Sequence, residues 1–429
     1  MPLTQPHYLP RIIDRKISDY LKLFGAILLE GPKWCGKTWT VLNHAESVTY
    51  LMDPVGNYST REAAEINPAS ALQGDRPHAI DEWQEVPAIW DAVRFEVDQH
   101  TQSGVFLLTG STRPRATKEK SPRHSGAGRF ARIRMRPLSL YESADSTGEI
   151  SLASLLEGEP VKAFSTPADV SQLIQLATRG GWPENQKVAN QQAGIIAREY
   201  LQLLASSDIS DIDSNEPKHD ETKVTALLRA FARSTATIIT NATLHRDTQS
   251  GTQSLSHPTV AAYMDALSRL FVIEELPGWR PQIRSKARIT TTPKRLFVDP
   301  SLAVAGLQTS PQRLARDLPT FGNIFENLCL RDLLVYANAL EGSVHHFRDS
   351  NGLEVDAIIE LPDGRYGAFE IKLNAARAGE ATHTLLRFRD KMLAGGADAP
   401  SCLTVITGGG IAKTDASKVS IVPSTALCP

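Results

Sequence analysis

Three groups of polar residues have the types and spacing that chemistry at a phosphate requires. The first is GPKWCGKT, residues 31–38, which fits the pattern G-x-x-x-x-G-K-[ST] at every fixed position. Gly31 and Gly36 allow backbone N–H groups to surround phosphate oxygens, and the following helix N-terminus adds a positive dipole. Lys37 would reach the outer phosphates, and the Thr38 hydroxyl would bind Mg²⁺. The pattern predicts a nucleotide-phosphate site, with a chance match in a glycine-containing turn as the alternative.

The second group is a pair of carboxylates, Asp81 and Glu82, at the end of a predicted strand. Asp81 would hold the Mg²⁺ shell, and Glu82 would act as the catalytic group that polarises an attacking water. A solvated acidic turn is the alternative. Thr109 and Ser111 follow the end of the next predicted strand, where a small polar side chain can contact a γ-phosphate or the water.

The third group lies near the C-terminus, where Asp356 is followed after thirteen residues by Glu370-x-Lys372. These residues fall on two strands of a predicted hairpin, and Glu370 and Lys372 share one face because side chains alternate along a strand. Glu326, on the preceding predicted helix, supplies a further acid. Two carboxylates, Asp356 and Glu370, would bind Mg²⁺, and the lysine would orient water or stabilise a phosphoryl transition state. A solvated hairpin is the alternative.

Apolar periodicity predicts the elements that position the first two groups. Helices and strands alternate over the first third of the chain, which predicts a parallel sheet with helices on its faces. The predicted strands are Ala26–Glu30, Val48–Met52, His78–Ile80 and Val105–Thr109, and the predicted helices are Arg11–Phe24 and Val86–His100.

The rest of the chain is predicted to be mostly helical and then mixed. The order helix, helix, strand, strand indicates a winged helix, and the alternative is a domain that only packs against its neighbours. The predicted elements of this region are helices Glu221–Ala236 and Thr259–Phe271, a loop Asp247–His257, and strands Phe271–Leu276 and Arg295–Val298. For the third group they are a helix Asn323–Asn338 and strands Val344–Arg348, Val355–Glu360 and Ala368–Lys372.

Charge and composition exclude several classes of protein. The 429 residues carry a formal net charge of −2, which argues against a protein that coats nucleic acid through an overall basic excess. Charge is nevertheless uneven: there are nine Lys/Arg in Thr112–Arg136, six in Leu276–Val298, and six acids in Ser206–Glu221. No stretch predicts a membrane span or a signal peptide, and the four scattered cysteines suit a reducing compartment, so we expect a cytoplasmic protein.

Several blocks of the sequence resemble the AAA-type P-loop ATPases that carry a C-terminal domain of unknown function with a nuclease-like core. The blocks are GPKWCGKT, IDEWQEVPAIWDAVR, FLLTGST, HSGAGRF, RMRPLSLYES, VDPSLA and FGNIFENLCLRD. The resemblance implies an α/β fold with three parts. These are a P-loop parallel-sheet AAA-type domain at 1–150, a helical winged-helix region at 151–310, and an α+β restriction-endonuclease-like PD-(D/E)xK domain at 311–429.

The resemblance also implies ligands and roles. ATP and Mg²⁺ are the expected cofactors, Ser111 or Thr109 falls at the sensor position, and Arg129 lies where an arginine that contacts the γ-phosphate can act, although a surface arginine is the simpler interpretation. DNA is an expected partner, through basic residues Arg280, Arg284, Lys286 and Arg288, and a homo-oligomer is compatible with the family. Three functions follow: an Mg-dependent ATPase acting on DNA, a nucleotide-switched binding module with an inactive nuclease-like domain, and an ATP-gated endonuclease.

Overall fold

The computed structural model describes residues 2–99, 103–114, 124–166, 169–209, 220–249, 254–281 and 292–429. These residues divide into two compact units. Unit 1 is built mainly from residues up to Pro137, with Asp265–Val272 and a short segment that begins at Ser207. Unit 2 contains Leu138–Ser206, the described part of 219–264, and the described part of Ile273–Pro429. Much of the basic segment 276–298 and of the acidic segment 206–221, including Arg284, Lys286 and Arg288, lies outside the described residues.

Unit 1 is a parallel α/β layer with the sheet order β2-β3-β4-β1-β5. All of its strand pairs are parallel, as the sequence predicted. Its strands are β1 (Ala26–Glu30), β2 (Ser47–Tyr50), β3 (His78–Asp81), β4 (Phe106–Gly110) and β5 (Phe130–Arg134). Its helices are α1 (Ile13–Leu21), α2 (Lys37–Leu42), α3 (Ser59–Ile66) and α4 (Ala88–Gln99). The predicted second strand begins one residue earlier than expected and ends at Tyr50.

Strand β1 is the inner strand that leads into the glycine-containing loop. It pairs with β4 on one side and β5 on the other, and all five of its residues are buried. A strand covered on both faces carries a continuous apolar run instead of an alternating one, which explains its sequence AILLE. Helix α4 covers the sheet with Ile89, Trp90, Val93 and Val97, spaced to share one helical face.

Unit 2 begins with helices and small strands. These are β6 (Ile150–Ser151), α5 (Leu152–Leu156), β7 (Phe164–Thr166), α6 (Val170–Arg179), α7 (Asn190–Leu203), α8 (Glu221–Arg233), β8 (Thr237–Ile238) and α9 (Asn241–Gln249). Helix α10 (His257–Arg269) follows, and then β9 (Ile273–Leu276) and β10 (Lys294–Phe297). Strands β8, β10 and β9 form an antiparallel sheet with β10 in the centre. The predicted loop at 247–257 is wrong in its first residues, because α9 continues to Gln249.

The largest sheet of unit 2 has seven strands in the order β11-β12-β13-β14-β16-β15-β7. Its last elements are α11 (Pro300–Gly306), α12 (Pro311–Leu314), α13 (Leu318–Ala339), β11 (Ser343–Arg348), β12 (Glu354–Glu360), β13 (Tyr366–Lys372), α14 (Ala378–Ala394), β14 (Cys402–Thr407), β15 (Gly410–Thr414), β16 (Val419–Pro423) and β17 (Leu427–Cys428). The predicted helix and three-strand meander are confirmed. The meander supplies three of the seven strands, however, and the sheet continues beyond the α14 crossover, where β14 pairs in parallel with both β13 and β16.

A buried polar network connects three sequence blocks to which sequence analysis assigned no chemistry. The Asp299 carboxylate accepts hydrogen bonds from Ser301 N (3.0 Å), Gly181 N (2.9 Å) and Arg331 Nη1 (3.0 Å). Arg331 also donates through Nε and Nη2 to Asp332 Oδ1, at 2.9 and 2.7 Å. Burial raises the pKa of Asp332 to about 6, against the opposing attraction of Arg331. The network therefore links the segment RGGWP (residues 179–183) to the VDPSLA and FGNIFENLCLRD blocks within unit 2.

We expect Arg331→Met to destabilise the protein by ~3–5 kcal/mol, because it leaves two buried carboxylates without their cation. Urea denaturation followed by circular dichroism measures this change. The matched control is Arg389→Met, which removes an exposed pair with Asp390 and should cost less than ~1 kcal/mol. Equal losses in the two variants would contradict the structural role of Arg331.

Candidate functional site

The loop between β1 and α2 has the conformation that a phosphate cradle requires. Gly36 has φ +96°, in the left-handed region that favours glycine, and α2 begins at Lys37. A side chain at Gly31 would overlap the Met135 carbonyl oxygen, so glycine is needed there also. Lys37 is buried and donates from Nζ to Pro32 O at 2.9 Å, a bond within the loop itself. The loop therefore directs an ammonium group and the start of a helix toward one point.

An arginine that sequence analysis missed braces this loop. Arg11 is buried and donates from Nη1 to Cys35 O (2.9 Å) and from Nη2 to Arg136 O (2.7 Å). The loop backbone is thereby tied to the segment that follows β5. Arg11 lies just before α1 and far from the motif in sequence, so no local pattern indicated it.

Asp81, at the end of β3, and Thr38, in the first turn of α2, are hydrogen-bonded to each other at the carboxyl edge of the sheet. Thr38 Oγ1 donates to Asp81 Oδ1 at 2.9 Å, and Thr109 Oγ1 donates to the same oxygen at 2.7 Å. Burial raises the pKa of Asp81, although the hydrogen bond from Thr109 opposes the shift. A hydroxyl and a carboxylate are hard oxygen ligands of the kind that Mg²⁺ takes. Thr38 and Asp81 fit that cation, and they would hold it beside bound phosphates.

Glu82 is positioned by Ser111 and Gln84. Its Oε2 accepts from Ser111 Oγ at 2.7 Å, from Ser111 N at 3.3 Å, and from the Gln84 amide. Its own N–H donates to Thr109 Oγ1 at 2.9 Å. Glu82 has φ +58°, an uncommon conformation for a non-glycine residue. Both predicted sensor residues therefore contact the acidic pair, Thr109 through Asp81 and the Glu82 backbone, and Ser111 through the Glu82 carboxylate.

Arg129 lies at the opposite edge of the sheet. Its carbonyl oxygen accepts from Ala26 N (3.1 Å), at the start of β1, whereas the phosphate loop follows the end of β1. Five strand residues at ~3.3 Å each separate the two edges by ~16 Å. The Arg129 side chain is half exposed and donates to Asp98 at 2.7 Å. Arg129 therefore lies away from the phosphate loop of its own chain, and its predicted contact with a γ-phosphate stays a prediction.

The four predicted residues of the C-terminal group converge in unit 2. Strands β12 and β13 pair with Ala357 opposite Phe369, which brings Asp356 beside Glu370. Lys372 Nζ lies 2.6 Å from Glu370 Oε2 and 3.3 Å from Asp356 Oδ2. The Ile371 N–H also donates to Asp356 Oδ2, at 2.9 Å. Glu326 reaches the same cluster from α13 through a second lysine.

That second lysine, Lys294, was not predicted. Its Nζ lies 2.6 Å from Glu326 Oε1 and 3.3 Å from Asp356 Oδ1, and its side chain is 1% exposed. A signal was present in the strand pattern, because Lys294 shares a face with the apolar Leu296 and so must point inward. We name Lys294, Glu326, Asp356, Glu370 and Lys372 the acid–lysine centre.

Burial and the neighbouring charges both shift the pKa values of the acid–lysine centre, and for several groups they act in opposite directions. Burial raises the pKa of Glu326 to about 7 and that of Glu370 to about 8, and repulsion from Asp356 adds to both. Burial also acts to raise the pKa of Asp356, but Lys294 and Lys372 outweigh it and leave that pKa below its usual value. Burial acts to lower the pKa of Lys294, but Glu326 and Asp356 outweigh it and raise that pKa. The neighbouring carboxylates therefore favour the charged form of the buried Lys294.

Metal sites and membrane spans are not apparent in the part of the chain that the structure describes. Within those ranges, no group of three or more His, Cys, Asp or Glu side chains has the arrangement of a metal site. Among the described helices, none is long and apolar enough to cross a membrane. The predicted Mg²⁺ ligation by Asp356 and Glu370 stays a prediction.

Three family models match successive parts of the chain. An AAA domain matches residues 24–144, a domain of unknown function (DUF8612) matches 170–313, and a second domain of unknown function (DUF4143) matches 321–427. The first match covers β1 to β5, the glycine-containing loop at residues 31–38 and the acidic pair Asp81 and Glu82. The other two carry no described activity.

Similar proteins were also found among curated sequences and solved structures. The chain is 24% identical over 351 residues to uncharacterized proteins of Mycobacterium tuberculosis (Rv2008c) and Mycobacterium bovis (Mb2031c), which covers 81% of this chain and 70% of each relative. It is 13% identical to the Walker-type ATPase PABY2304 of Pyrococcus abyssi, over 71% of this chain and 97% of that one, with a TM-score of 0.43. A likeness at that score supports no further conclusion. Residues 24–144 are thus similar to an AAA domain, and the glycine-containing loop within them lies between a strand and a helix of a parallel sheet.

Thr109 should be essential to the geometry of the acidic pair, since its buried hydroxyl contacts both Asp81 and the Glu82 backbone. We expect Thr109→Val to lower the free energy of unfolding by ~1–3 kcal/mol, because the change removes the acceptor of the Glu82 N–H and one of the two hydroxyl donors to Asp81 Oδ1. Thermal and urea unfolding measure it. Thr112→Val, on the same segment but partly exposed, should change stability by less than ~0.5 kcal/mol.

Proposed function

We propose that the AAA-type domain binds Mg²⁺ and ATP at residues 31–38 and hydrolyses the nucleotide. The observation that carries the proposal is the single connected array Thr38–Asp81–Thr109–Glu82–Ser111, which joins the phosphate loop to a positioned carboxylate. A phosphate loop alone would support binding only. A carboxylate held beside it by two donors supports activation of a water.

Each residue of the array has a distinct role in this proposal. Lys37 would move from its bond with Pro32 O to the outer phosphates, and the start of α2 would contribute its backbone N–H groups. When bound, Mg²⁺ would neutralise phosphate charge, and Thr38 and Asp81 would hold it. Glu82 would orient water, and Ser111 and Gln84 would fix the direction of its carboxylate. ATP, as opposed to GTP, is proposed from the match to an AAA domain.

DNA is the proposed partner of the rest of the chain. The support is the basic excess in Leu276–Val298 and the order of α8, α9, α10, β9 and β10, which agrees with a winged helix. The acid–lysine centre favours a nucleotide-switched binding module with an inactive nuclease-like domain over an ATP-gated endonuclease, because lysines lie between its carboxylates. A homo-oligomer also belongs to the proposal, since the exposed Arg129 would need a second copy to reach a nucleotide.

ATP binding and hydrolysis can be separated with two variants. Lys37→Ala should weaken binding of a fluorescent ATP analogue about 10- to 150-fold, as expected for loss of a charged hydrogen bond of ~1.5–3 kcal/mol. Glu82→Gln should bind normally but release phosphate about 10²–10⁴ times more slowly, because the amide cannot accept a proton.

Lys22→Ala, at an exposed lysine, is the matched control for the first variant and should leave both measurements unchanged. Phosphate release that is equal in wild type and Lys37→Ala would sink the hydrolysis proposal. Binding that disappears in Glu82→Gln would show that this carboxylate holds the nucleotide instead of acting on water.

The DNA proposal predicts a specific salt dependence. Replacing Arg284 and Arg288 by Ala should weaken binding to duplex DNA and reduce the slope of log K against log salt by about 0.9 for each phosphate that the variant no longer neutralises. Fluorescence anisotropy at several salt concentrations measures both. A control with Ala at Arg61 and Arg389, two surface arginines that are ion-paired within the fold, should leave the slope unchanged. An unchanged slope in the first variant would reject this segment as a DNA contact.

A further inference from the structure

We propose that the ammonium group of Lys294 is the resident cation of the acid–lysine centre and takes the position that a divalent metal ion would take. This inference does not depend on the ATPase proposal. It concerns a different unit of the fold and a residue that no motif identified. It assigns the centre a metal-independent state in which two lysines offset most of the charge of three carboxylates.

The first support is the use of the carboxylate oxygens. Lys294 contacts Glu326 Oε1 and Asp356 Oδ1, so it bridges acids from α13 and β12. Asp356 Oδ2, the other oxygen of that carboxylate, already accepts from Ile371 N and Lys372 Nζ. Both oxygens of the central acid are therefore bound to donors. Mg²⁺ would need oxygen ligands at about 2.0–2.1 Å in near-octahedral geometry, and it would have to share both Asp356 oxygens with these donors while Lys294 is in place.

The second support is charge. Three carboxylates and two ammonium groups sum to −3 + 2 = −1 when all are ionised. Without Lys294 the sum is −3 + 1 = −2, which a single divalent ion would neutralise. A divalent ion that entered the intact centre would instead meet a buried positive charge at short range, where the effective dielectric is low.

The third support is that strand pairing fixes the backbone of Lys294 and that its side chain is buried. It begins β10, the central strand of its sheet, and pairs with Ile238 on one side and Leu276 on the other. Its backbone is thus fixed by two neighbouring strands, and its side chain is 1% exposed. Lys372 differs, since its side chain is 24% exposed and it is the lysine of the Glu-x-Lys motif itself. The residues present do not fit a divalent cation in addition to Lys294.

The inference predicts that a metal ion can replace the lysine once the lysine is removed. In nucleotide-free full-length protein, Lys294→Met should lower the melting temperature, and Mn²⁺ should restore at least half of the loss. Lys294→Met with Asp356→Asn should show no such recovery, because the central carboxylate is gone. In the wild type, Mn²⁺ should change the melting temperature by the same amount as it does in Asp356→Asn.

Mn²⁺ binding measured directly by electron paramagnetic resonance gives a second readout. We expect one additional bound Mn²⁺ in Lys294→Met relative to wild type, and none in the double variant. Because Asp356→Asn is the reference in each comparison, Mn²⁺ held by Thr38 and Asp81 cancels. The double change Lys294→Met with Glu326→Gln keeps the net charge of the centre at −1. It replaces Lys294→Met in the Mn²⁺ measurements if the single variant does not fold.

Two results would overturn the inference. One is Mn²⁺ binding by wild type that Asp356→Asn abolishes, since it would show that a metal binds with Lys294 in place. The other is a folded Lys294→Met protein, or a folded Lys294→Met/Glu326→Gln protein, that gains no Asp356-dependent Mn²⁺. Loss of ATP binding in Lys37→Ala would be unaffected by either result.

Discussion

Buried charges that must be paired determine how β10 and α13 dock in unit 2. Lys294 and Asp299 are five residues apart, and so are their partners Glu326 and Arg331. Between the two ion pairs, Asn327 donates from Nδ2 to Phe297 O at 2.9 Å. An unpaired buried charge is strongly destabilising, so a shift of either element would break both pairs at once. The alternation of sign along the two segments therefore defines one register.

The same docking creates both functional and structural features of unit 2. One end of the contact is the acid–lysine centre, and the other is the network of Asp299, Arg331 and Asp332 that ties in Gly181 and Leu140. A rigid helix that carries both Glu326 and Arg331 cannot place one without the other. The ion pair of Asp299 with Arg331 thus couples the VDPSLA and FENLCLRD blocks.

Unit 1 follows a different constraint, the common direction of parallel strands. The loop after β1, the acids at the end of β3 and the hydroxyls at the end of β4 all lie at the carboxyl edge, so Thr38 and Thr109 both contact Asp81. Arg129 precedes its strand and lies at the amino edge for the same reason. Strand direction thus decides which motif residues can act on one ligand. Position in the sequence alone does not.

Local patterns predicted much of this protein. The five-residue strand AILLE, the phosphate loop, the acid pair and the hairpin that aligns Asp356 with Glu370 all followed from short-range periodicity, which depends on near neighbours only. Helix α14 also had a readable stripe, because Ala378, Ala381, Leu385, Phe388 and Met392 are spaced by three and four residues. Sequence analysis did not predict this helix or the parallel strands β14 and β16.

The tertiary structure decided which distant residues share a site. Arg11 donates to a loop more than twenty residues away in the sequence. Lys294 contacts Glu326 and Asp356, which lie 32 and 62 residues further on. Arg129 lies at the sheet edge opposite the phosphate loop. These contacts depend on packing between elements, and the free energy of burying a charge selects its partner only after the chain has folded. The sequence by itself therefore determined the local elements and the phosphate chemistry, whereas the cation between the C-terminal carboxylates was decided by the tertiary structure.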